Sequence, residues 1–279
     1  MKSLHKFLLA SCCLLSSPAF AAAPINVSFP TPQGITLTGK LYLPTGATPS
    51  APAVVMMHGC SGIYSYSDPA NGLALLYKEW GERLANAGYA ALLVDSFSGR
   101  SEPQNQCGNG SDGVSEAADR PYDAMGAWQY LKTYYSGLIN PDKIALLGWS
   151  HGASSTLSAL SSTWVGQWGK PFKVGFAFYP GCGLYNAYGG ISTSTYTSYA
   201  PLHILHGSSD PFYTIGYCDK RINNAIKRGS INTSMSVYLK AQHSFDNARA
   251  VDSQWTQADV DAKASADAFV VLRLNSLFK

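Results

Sequence analysis

The sequence predicts an α/β protein whose mostly parallel central sheet carries helices on both faces and is entered through an antiparallel start. Continuous apolar runs of strand length alternate with segments in which apolar residues recur at helical spacing. The first two strand-like segments instead alternate apolar and polar residues, as half-buried antiparallel strands do. The chain has 279 residues, of which 46% are apolar and 13% charged, which suits one large globular core.

The elements can be assigned in chain order. The stretches "INVSFP" and "GITLTGKLYLP" predict the antiparallel strands. The buried strands are then expected at "APAVVMMHG", "YAALLVDSF", "KIALLGWS", "FKVGFAFYPG" and "PLHILHGSSD", with a last strand at "TSMSVYLK". Helices are expected from Leu73 to Gly88, from Tyr122 to Tyr135, in "HGASSTLSALSS", near Ile215 to Lys227 and from Ala258 to Leu277. In such a sheet, functional residues gather where the strands end.

The first 21 residues resemble a secretory signal peptide, which leaves 22–279 as a single domain. Two lysines precede an apolar run from Phe7 to Leu15, and Ala19-Phe20-Ala21 is a small-x-small cleavage site. A lipoprotein cleavage box at Leu9-Ala10-Ser11-Cys12 is an alternative, although it would leave little apolar core before the cut. No segment is long and apolar enough to span a bilayer. We therefore expect an exported protein, periplasmic or secreted, with no membrane partner.

Charge and motifs argue against several classes of partner. Without the signal peptide, 18 basic residues face 17 acidic ones, so the surface that a phosphate backbone requires is missing and nucleic acid is not an expected partner. No glycine-rich phosphate loop occurs, and no cofactor is expected. His203 and His206 are three residues apart on a strand and would face opposite sides, so no catalytic metal is implied. The oligomeric state is left open.

Four cysteines remain after the signal peptide: Cys60, Cys107, Cys182 and Cys218. An even number in an oxidising compartment favours two disulfides, for which three connectivities are possible. We expect Cys60–Cys107 and Cys182–Cys218, since each pair would join loops that follow nearby strands. A zinc site is the rival interpretation, but the chain lacks a C-x-x-C pair.

The stretch "LLGWSHGAS" contains a G-x-S-x-G pattern centred on Ser150. Ser150 follows a predicted buried strand and precedes a helix of small residues, which is the context of a nucleophile elbow. The glycines at positions 148 and 152 would permit a tight turn and a close approach of the backbone. A serine that only caps the helix is the alternative.

A serine nucleophile needs a histidine base and an acid that orients it. His243, in the polar loop "KAQHSFDN" after the last strand, has no evident structural task and is the best base. Asp210 ends the strand "PLHILHGSSD" and is the best acid, ahead of Asp246, which is too near His243 in the chain. Asp95 also ends a strand, but we expect it to pair with its neighbour Arg100.

The negative oxygen that forms during acyl transfer needs two backbone N–H donors. The N–H of His151, directly after Ser150, is one candidate. The N–H of Cys60, in the loop that follows the first buried strand, is the other. A disulfide at Cys60 would brace this oxyanion hole, whereas a free reactive thiol is the alternative for that residue.

The chain resembles the dienelactone hydrolase family of α/β-hydrolases in "VVMMHGCSG", "WGERLANAGYAALLVDSFSGR", "IALLGWSHGA", "LHILHGSSDP" and "AQHSFDNA". The resemblance implies the α/β-hydrolase fold and a triad of Ser150, Asp210 and His243. Three positions depart from the family pattern. A serine replaces the cysteine nucleophile, and Gly59 and Asp246 stand where the family carries a glutamate and a substrate-binding arginine. An acid at position 246 is expected to repel an anionic substrate.

The expected activity is therefore hydrolysis of a small-molecule or polymeric carboxylic ester through an acyl-enzyme. A peptidase, an acyltransferase and a polymer-ester hydrolase would use the same triad, and a binding protein of the same fold is a further alternative. Substrate contacts are expected from Tyr64, Trp149 and Tyr179. The other loop tyrosines, Tyr66, Tyr185, Tyr188, Tyr196 and Tyr199, would line a substrate pocket or cover the core.

Overall fold

The computed structural model describes residues 22–44, 46, 49–65, 68–103, 105–108, 113–230 and 232–279. The expected signal peptide and Tyr66 lie outside these residues. That 22–279 form one domain stays a prediction.

Eight strands form the main sheet, in the order β1-β2-β6-β3-β7-β8-β9-β10. The strands are β1 (Ile25–Pro30), β2 (Thr36–Tyr42), β3 (Ala51–Met57), β4 (Tyr64–Ser65), β5 (Asp68–Leu73), β6 (Ala90–Asp95), β7 (Ile139–Trp149), β8 (Gly175–Phe178), β9 (Leu202–Gly207) and β10 (Thr233–Tyr238). Strand β1 pairs antiparallel with β2, and β2 pairs antiparallel with β6. The remaining neighbours in the sheet, β6-β3-β7-β8-β9-β10, are all parallel. The expected antiparallel start and parallel centre are confirmed.

Helices cover both faces of this sheet. They are α1 (Leu75–Asn86), α2 (Arg120–Tyr134), α3 (His151–Ala159), α4 (Val165–Trp168), α5 (Pro211–Thr214), α6 (Tyr217–Lys227) and α7 (Gln257–Phe278). In β3, Val54 and Met56 point into the core under α1 and α7, whereas Val55 and Met57 point to the face that α2 and α3 cover. Both faces of β3 are buried, which explains why its sequence is a continuous apolar run.

A short hairpin of β4 and β5 was not predicted, and it changes the start of the first helix. Leu73 pairs with Tyr64 in this hairpin, and the N–H of Ala74 donates to the carbonyl of Ile63 at 2.9 Å. Helix α1 therefore begins at Leu75, so the assignment of Leu73 to the helix was wrong. Leu73 packs against the same core as the helix, which is why its apolar character fitted the helical spacing.

The sheet brings the loops that carry the predicted site residues to one edge. Cys60 follows β3, Ser150 follows β7, Asp210 follows β9 and His243 follows β10. These strands are parallel, so their carboxyl ends meet at the same edge. Within the described residues, no helix has the length and apolarity that crossing a membrane requires.

Candidate active site

Ser150 occupies a strained turn between β7 and α3. Its backbone has φ 49° and ψ −113°, a region that residues other than glycine rarely adopt. The N–H of Ser150 donates to the carbonyl of Phe178 at 2.9 Å, which helps to hold this turn. A Cβ on Gly148 would collide with the carbonyl of Gly152, and one on Gly152 with the carbonyl of Met57. Both glycines of the G-x-S-x-G pattern are therefore required by close backbone packing.

The structure brings Ser150, His243 and Asp210 into one hydrogen-bonded series. His243 Nε2 lies 3.1 Å from Ser150 Oγ, and His243 Nδ1 lies 2.7 Å from Asp210 Oδ2. Asp210 is fully buried, and its other oxygen accepts the N–H of Phe212 at 2.8 Å, because Asp210 also caps α5. A carboxylate only accepts, so the ring proton is on Nδ1 and the Nε2 lone pair faces the serine. The catalytic roles of these residues stay predictions.

His151 is held away from the base position. Its Nδ1 accepts from Arg120 Nη1 at 2.8 Å, and its other ring nitrogen bonds the backbone of Val114. Burial and the neighbouring Arg120 charge lower the pKa of His151 to about 2, so the ring is neutral. Its backbone N–H lies at the start of α3, where no acceptor within the helix is available.

His206 approaches Asp210 without forming an ion pair. Its Nδ1 lies 3.3 Å from Asp210 Oδ2, but this atom makes no hydrogen bond with the described residues. His206 Nε2 is 3.1 Å from the carbonyl of Pro180, which must accept the ring proton. Burial lowers the pKa of His206, which agrees with a neutral ring that packs behind Asp210.

The loop that follows β3 is fixed by buried hydrogen bonds. His58 Nδ1 donates to the carbonyl of Gly59 at 2.6 Å, and its Nε2 accepts the N–H of Ser96 at 3.1 Å. Burial, together with the charge of Arg120, holds the pKa of His58 well below its usual value, so the ring stays neutral. The N–H of Gly59 donates to the hydroxyl of Tyr77 at 2.9 Å. The backbone next to Cys60 therefore has one defined orientation.

Both expected disulfides are present, which excludes a free thiol or a zinc ligand at these positions. Cys60 bonds to Cys107, and Cys182 bonds to Cys218. The carbonyl of Cys60 also accepts the N–H of Gln106 at 2.7 Å, so the first bridge ties the loop after β3 to a second loop. Cys60, Ser150 and His151 line the same cavity, as the predicted oxyanion hole requires. The oxyanion role of these two N–H groups stays a prediction.

Two cavities flank Ser150 and share Cys60, Cys107, Ser150 and His243 in their walls. The first has a volume of about 450 Å³, and its further lining includes Tyr77, Trp149, Tyr179, Asn247 and Trp255. The second has a volume of about 570 Å³, and its further lining includes Val114, Glu116, Ser154, Leu184, Tyr185, Phe212, Ile215 and Tyr217. Ser150 thus lies between two concave spaces.

Of the three expected substrate contacts, two lie at the first cavity. Trp149 and Tyr179 are almost fully buried, and both donate to Asp246, Trp149 through Nε1 at 2.7 Å and Tyr179 through its hydroxyl. The Tyr179 ring also packs edge-on against His243, with 4.6 Å between ring centroids. Tyr64 is half-buried, packs against the core and is not among the residues that line either cavity.

Asp246 is buried and lines neither cavity beside Ser150, so the expectation that it meets and repels an anionic substrate was wrong. Its side chain is fully buried behind Trp149 and Tyr179, whose donors satisfy both carboxyl oxygens. Burial raises the pKa of Asp246 to about 6. Asp246 therefore holds Trp149 and Tyr179 in the wall of the first cavity and does not line the cavity itself.

The local ion pair expected between Asp95 and Arg100 is also absent. Arg100 instead forms a buried ion pair with Asp123 of α2, at 2.6 Å. Asp95 accepts the N–H groups of Phe97 and Ser98, both at 3.1 Å, and so caps the turn after β6. Arg100 does not pair with the carboxylate nearest in sequence, because α2 packs against this turn and places Asp123 closer to it.

The tyrosine-rich segment between β8 and β9 mostly covers the core. Tyr188 and Tyr196 are buried, and their hydroxyls donate to the carbonyls of Ser158 and Leu157 in α3. Tyr199 packs partly buried against another part of the core. Of the described tyrosines in this segment, Tyr179 lines the first cavity beside Ser150 and Tyr185 lines the second.

Three residues of the site carried no signal that identified them in the sequence. Tyr77 was expected to be a core residue of α1, yet its hydroxyl holds the loop after β3. Glu116 lies in a polar stretch, and Ser154 is one of several serines in α3. Only the folded arrangement places their polar atoms beside the cavities. Among the residues with described positions, no group of three or more His, Cys, Asp or Glu side chains could hold a metal ion.

The model of the dienelactone hydrolase family matches residues 37–279, which confirms the resemblance seen in the sequence. No curated protein matches the chain.

Three solved structures illustrate the fold, all below 20% identity. One is the dienelactone hydrolase-like promiscuous phosphotriesterase P91 from metagenomic libraries, with 18% identity over 92% of this chain and 100% of that chain and a TM-score of 0.66. An esterase of Pyrobaculum calidifontis has 16% identity over 91% and 85% of the two chains and a TM-score of 0.65. Esterase 2 of Thermogutta terrifontis, phosphorylated by paraoxon, has 17% identity over 92% and 96% and a TM-score of 0.60. The α/β-hydrolase fold is thereby confirmed.

Proposed function

Because the chain belongs to the dienelactone hydrolase family, we propose that it is a serine hydrolase that cleaves carboxylic esters through an acyl-enzyme. The observation that carries this proposal is the hydrogen-bonded series from Asp210 through His243 to Ser150. The family and its esterase neighbours support hydrolase activity in general. The serine nucleophile and the ester substrate are the further steps that we propose.

In the proposed reaction, Ser150 Oγ attacks the ester carbonyl while His243 Nε2 removes its proton. The ring then carries a positive charge, which buried Asp210 stabilises through Nδ1. The same Nε2 proton is donated to the leaving alcohol. Water, activated by His243 in turn, releases the acyl group from Ser150.

The N–H groups of Cys60 and His151 are proposed to stabilise the negative oxygen of each tetrahedral intermediate. The strained backbone of Ser150 supports this role, since it aims the side chain at the sheet edge and places the next N–H at the start of α3. The hydrogen bonds around His58 and Gly59 fix the other donor. Donors that are oriented before the reaction lose little energy in reorganisation, so one such donor contributes about 3–4 kcal/mol to catalysis.

The substrate is proposed to be a small ester that lacks the carboxylate of a dienelactone. Position 59, where the family carries a glutamate, is a glycine whose Cβ position lies only 3.7 Å from Ser150 Cβ. Asp246, which replaces the family arginine, is buried and bonded to Trp149 and Tyr179. The two disulfides are compatible with an extracellular location, and we propose that the protein is exported.

The test is hydrolysis of p-nitrophenyl esters from acetate to decanoate by the wild type and by Ser150→Ala. We expect the wild type to turn over short or medium esters, and Ser150→Ala to lose at least about 10⁴-fold in kcat, since the nucleophile of a triad contributes this much. The preferred chain length reports how far the acyl group extends into the cavity.

Ser155→Ala is the matched control, because Ser155 lies in the same helix and donates only to the carbonyl of His151. This variant is expected to keep wild-type activity within about threefold, as the lost hydrogen bond contributes little to an already formed helix. A folded wild type that cleaves none of the esters, or a fully active Ser150→Ala, would refute the proposal.

A further inference from the structure

The second cavity beside Ser150 contains a buried carboxyl group that the proposed mechanism does not use. Glu116 lies in the segment that precedes α2, and only 8% of its surface is exposed. Its carboxyl forms hydrogen bonds with the side chain of Ser154 and with the backbone of Leu184. Ser154 Oγ also accepts the N–H of Gly181 at 3.1 Å, so its own proton is free to be donated to Glu116.

Apart from this carboxyl, much of the cavity wall is apolar. Four large side chains at the cavity are unusually exposed for their type, with 38–48% of their surface accessible: Tyr185, Phe212, Ile215 and Tyr217. Isolated exposed apolar residues are common, but a cluster around one concave space is typical of a binding site. Two tyrosine rings and one phenylalanine ring favour a flat, aromatic group as the occupant.

Glu116 lines this cavity, and its two protein partners leave it capacity for a further hydrogen bond. A carboxylate has about four acceptor positions, and Ser154 and Leu184 occupy two of them. Burial is the main cause that raises the pKa of Glu116 to about 7, while the charges of Arg120 and Arg221 oppose it. A buried carboxyl is costly for stability, and the two protein contacts leave part of that cost uncompensated.

The position of Glu116 also sets a distance from the nucleophile. Ser154 follows Ser150 by four residues, which is roughly 6 Å along a helix axis. One hydrogen bond of about 2.7 Å then leads to the carboxyl. This path gives an upper limit for the separation between the nucleophile and the carboxyl of Glu116, and one aromatic ring with a short linker is about that long.

We propose that Glu116 determines substrate specificity by accepting a hydrogen bond from a hydroxyl group on the aromatic part of the ester. The substrate class is thus a hydroxyaryl ester, in which the ring contacts the apolar wall and the hydroxyl reaches Glu116. This inference rests on the proposed esterase function and names the substrate class for the same site.

The test compares two esters that differ in one hydroxyl: methyl 3-(4-hydroxyphenyl)propanoate and methyl 3-phenylpropanoate. We expect the wild type to favour the hydroxylated ester by about tenfold in kcat/KM, mainly through KM. Glu116→Met removes the acceptor at similar volume and should abolish this preference. Glu116→Gln keeps a neutral acceptor and should lower the preference about threefold, which provides a second measurement if the methionine variant does not fold.

Glu102→Gln is the matched control, because Glu102 is exposed and lines neither cavity. It should leave the preference unchanged. It should also leave hydrolysis of p-nitrophenyl acetate unchanged, whereas the Glu116 variants should lose more rate on the hydroxylated ester than on either ester without a hydroxyl. A purely structural role of Glu116 would lower the rates for all three esters together and would overturn the inference, as would a wild type without preference.

The two proposals fail in different ways. If the wild type does not hydrolyse p-nitrophenyl acetate in a manner that requires Ser150, both the esterase function and the role of Glu116 are refuted. If that hydrolysis occurs but the two methyl esters react equally in the wild type and in Glu116→Met, only the role of Glu116 is refuted.

Discussion

At the scale of single residues, the site depends on polar side chains that position the proposed catalytic residues and their backbone donors. The hydroxyl of Tyr77 is such a group, since it accepts the N–H of Gly59 immediately before the proposed oxyanion donor Cys60. Tyr179 is another, because its ring packs against His243 while its hydroxyl is tied to buried Asp246. Neither needs to touch a substrate to affect catalysis.

Tyr77→Phe tests this view of the loop after β3. The change leaves the buried N–H of Gly59 without its acceptor, which costs about 1–3 kcal/mol if the loop stays in place. We expect the loop to shift instead, so kcat on p-nitrophenyl acetate should fall about tenfold while KM changes little. Steady-state kinetics and the thermal midpoint measure the two effects separately. Equal kcat in the variant and the wild type would show that Tyr77 does not position the loop.

Glu116 should make stability depend on pH. Burial raises its pKa from the ordinary 4.5 to about 7, so between these values the folded protein binds a proton that the unfolded chain releases. The unfolding free energy therefore falls as the pH rises from 4.5 through 7, by about 1.4 kcal/mol per pH unit and about 3 kcal/mol in all. Glu116→Gln lacks this contribution, so its stability relative to the wild type should increase across the range.

Urea unfolding of the wild type and Glu116→Gln at several pH values measures this difference. Asp246, whose pKa is also raised, is present in both proteins, so its contribution cancels. Arg120, Arg221, Tyr185 and the backbone of Leu184 face Glu116 and are likewise unchanged. A difference in unfolding free energy that stays constant with pH, as expected for exposed Glu102→Gln, would contradict a raised pKa at Glu116.

At the scale of elements, the site is assembled from loops at the ends of β3, β7, β9 and β10, and short structures at those ends fix the side chains. Asp210 illustrates this, because one of its oxygens caps α5 and the other holds His243. The alternation of buried strands and helices was enough to predict which loops meet. The hairpin β4–β5 was not predictable in this way, since Leu73 satisfies the apolar spacing of the next helix as well as its own strand.

The two disulfides allow a comparison between loops of the site and loops of the scaffold. They close segments of similar length, 47 and 36 residues, so each should stabilise the fold by about 4 kcal/mol through the entropy of the unfolded chain. Only Cys60–Cys107 includes a proposed oxyanion donor. Replacing Cys60 and Cys107 by serine should therefore lower kcat about tenfold or more, whereas replacing Cys182 and Cys218 should lower stability by a similar amount and kcat much less.

Both double variants can be compared with the wild type by steady-state kinetics below the onset of unfolding and by urea denaturation. Equal losses of kcat in the two variants would show that the first bridge contributes stability alone. The loops that they join also differ in their surroundings, because Arg221 binds the carbonyls of Cys182 and Gly183 and holds that segment independently of the bridge.

At the scale of the whole molecule, the sequence predicted the fold and the three residues that the structure joins by hydrogen bonds. Strands buried on both faces leave a continuous apolar signal, and their parallel arrangement sends Ser150, Asp210 and His243 to one edge. Side chains that enter the site from elsewhere left no such signal. Whether Glu116 faces a cavity or Asp246 faces the core depends on how distant segments pack, which local spacing does not encode.

Mass spectrometry of the protein after reaction with a fluorophosphonate decides whether Ser150 is an activated nucleophile. We expect one adduct, located on Ser150, that forms rapidly in the wild type, forms far more slowly in His243→Ala and is absent in Ser150→Ala. A folded wild type that remains unlabelled, or an adduct that maps to another residue, would show that Ser150 is not the activated nucleophile.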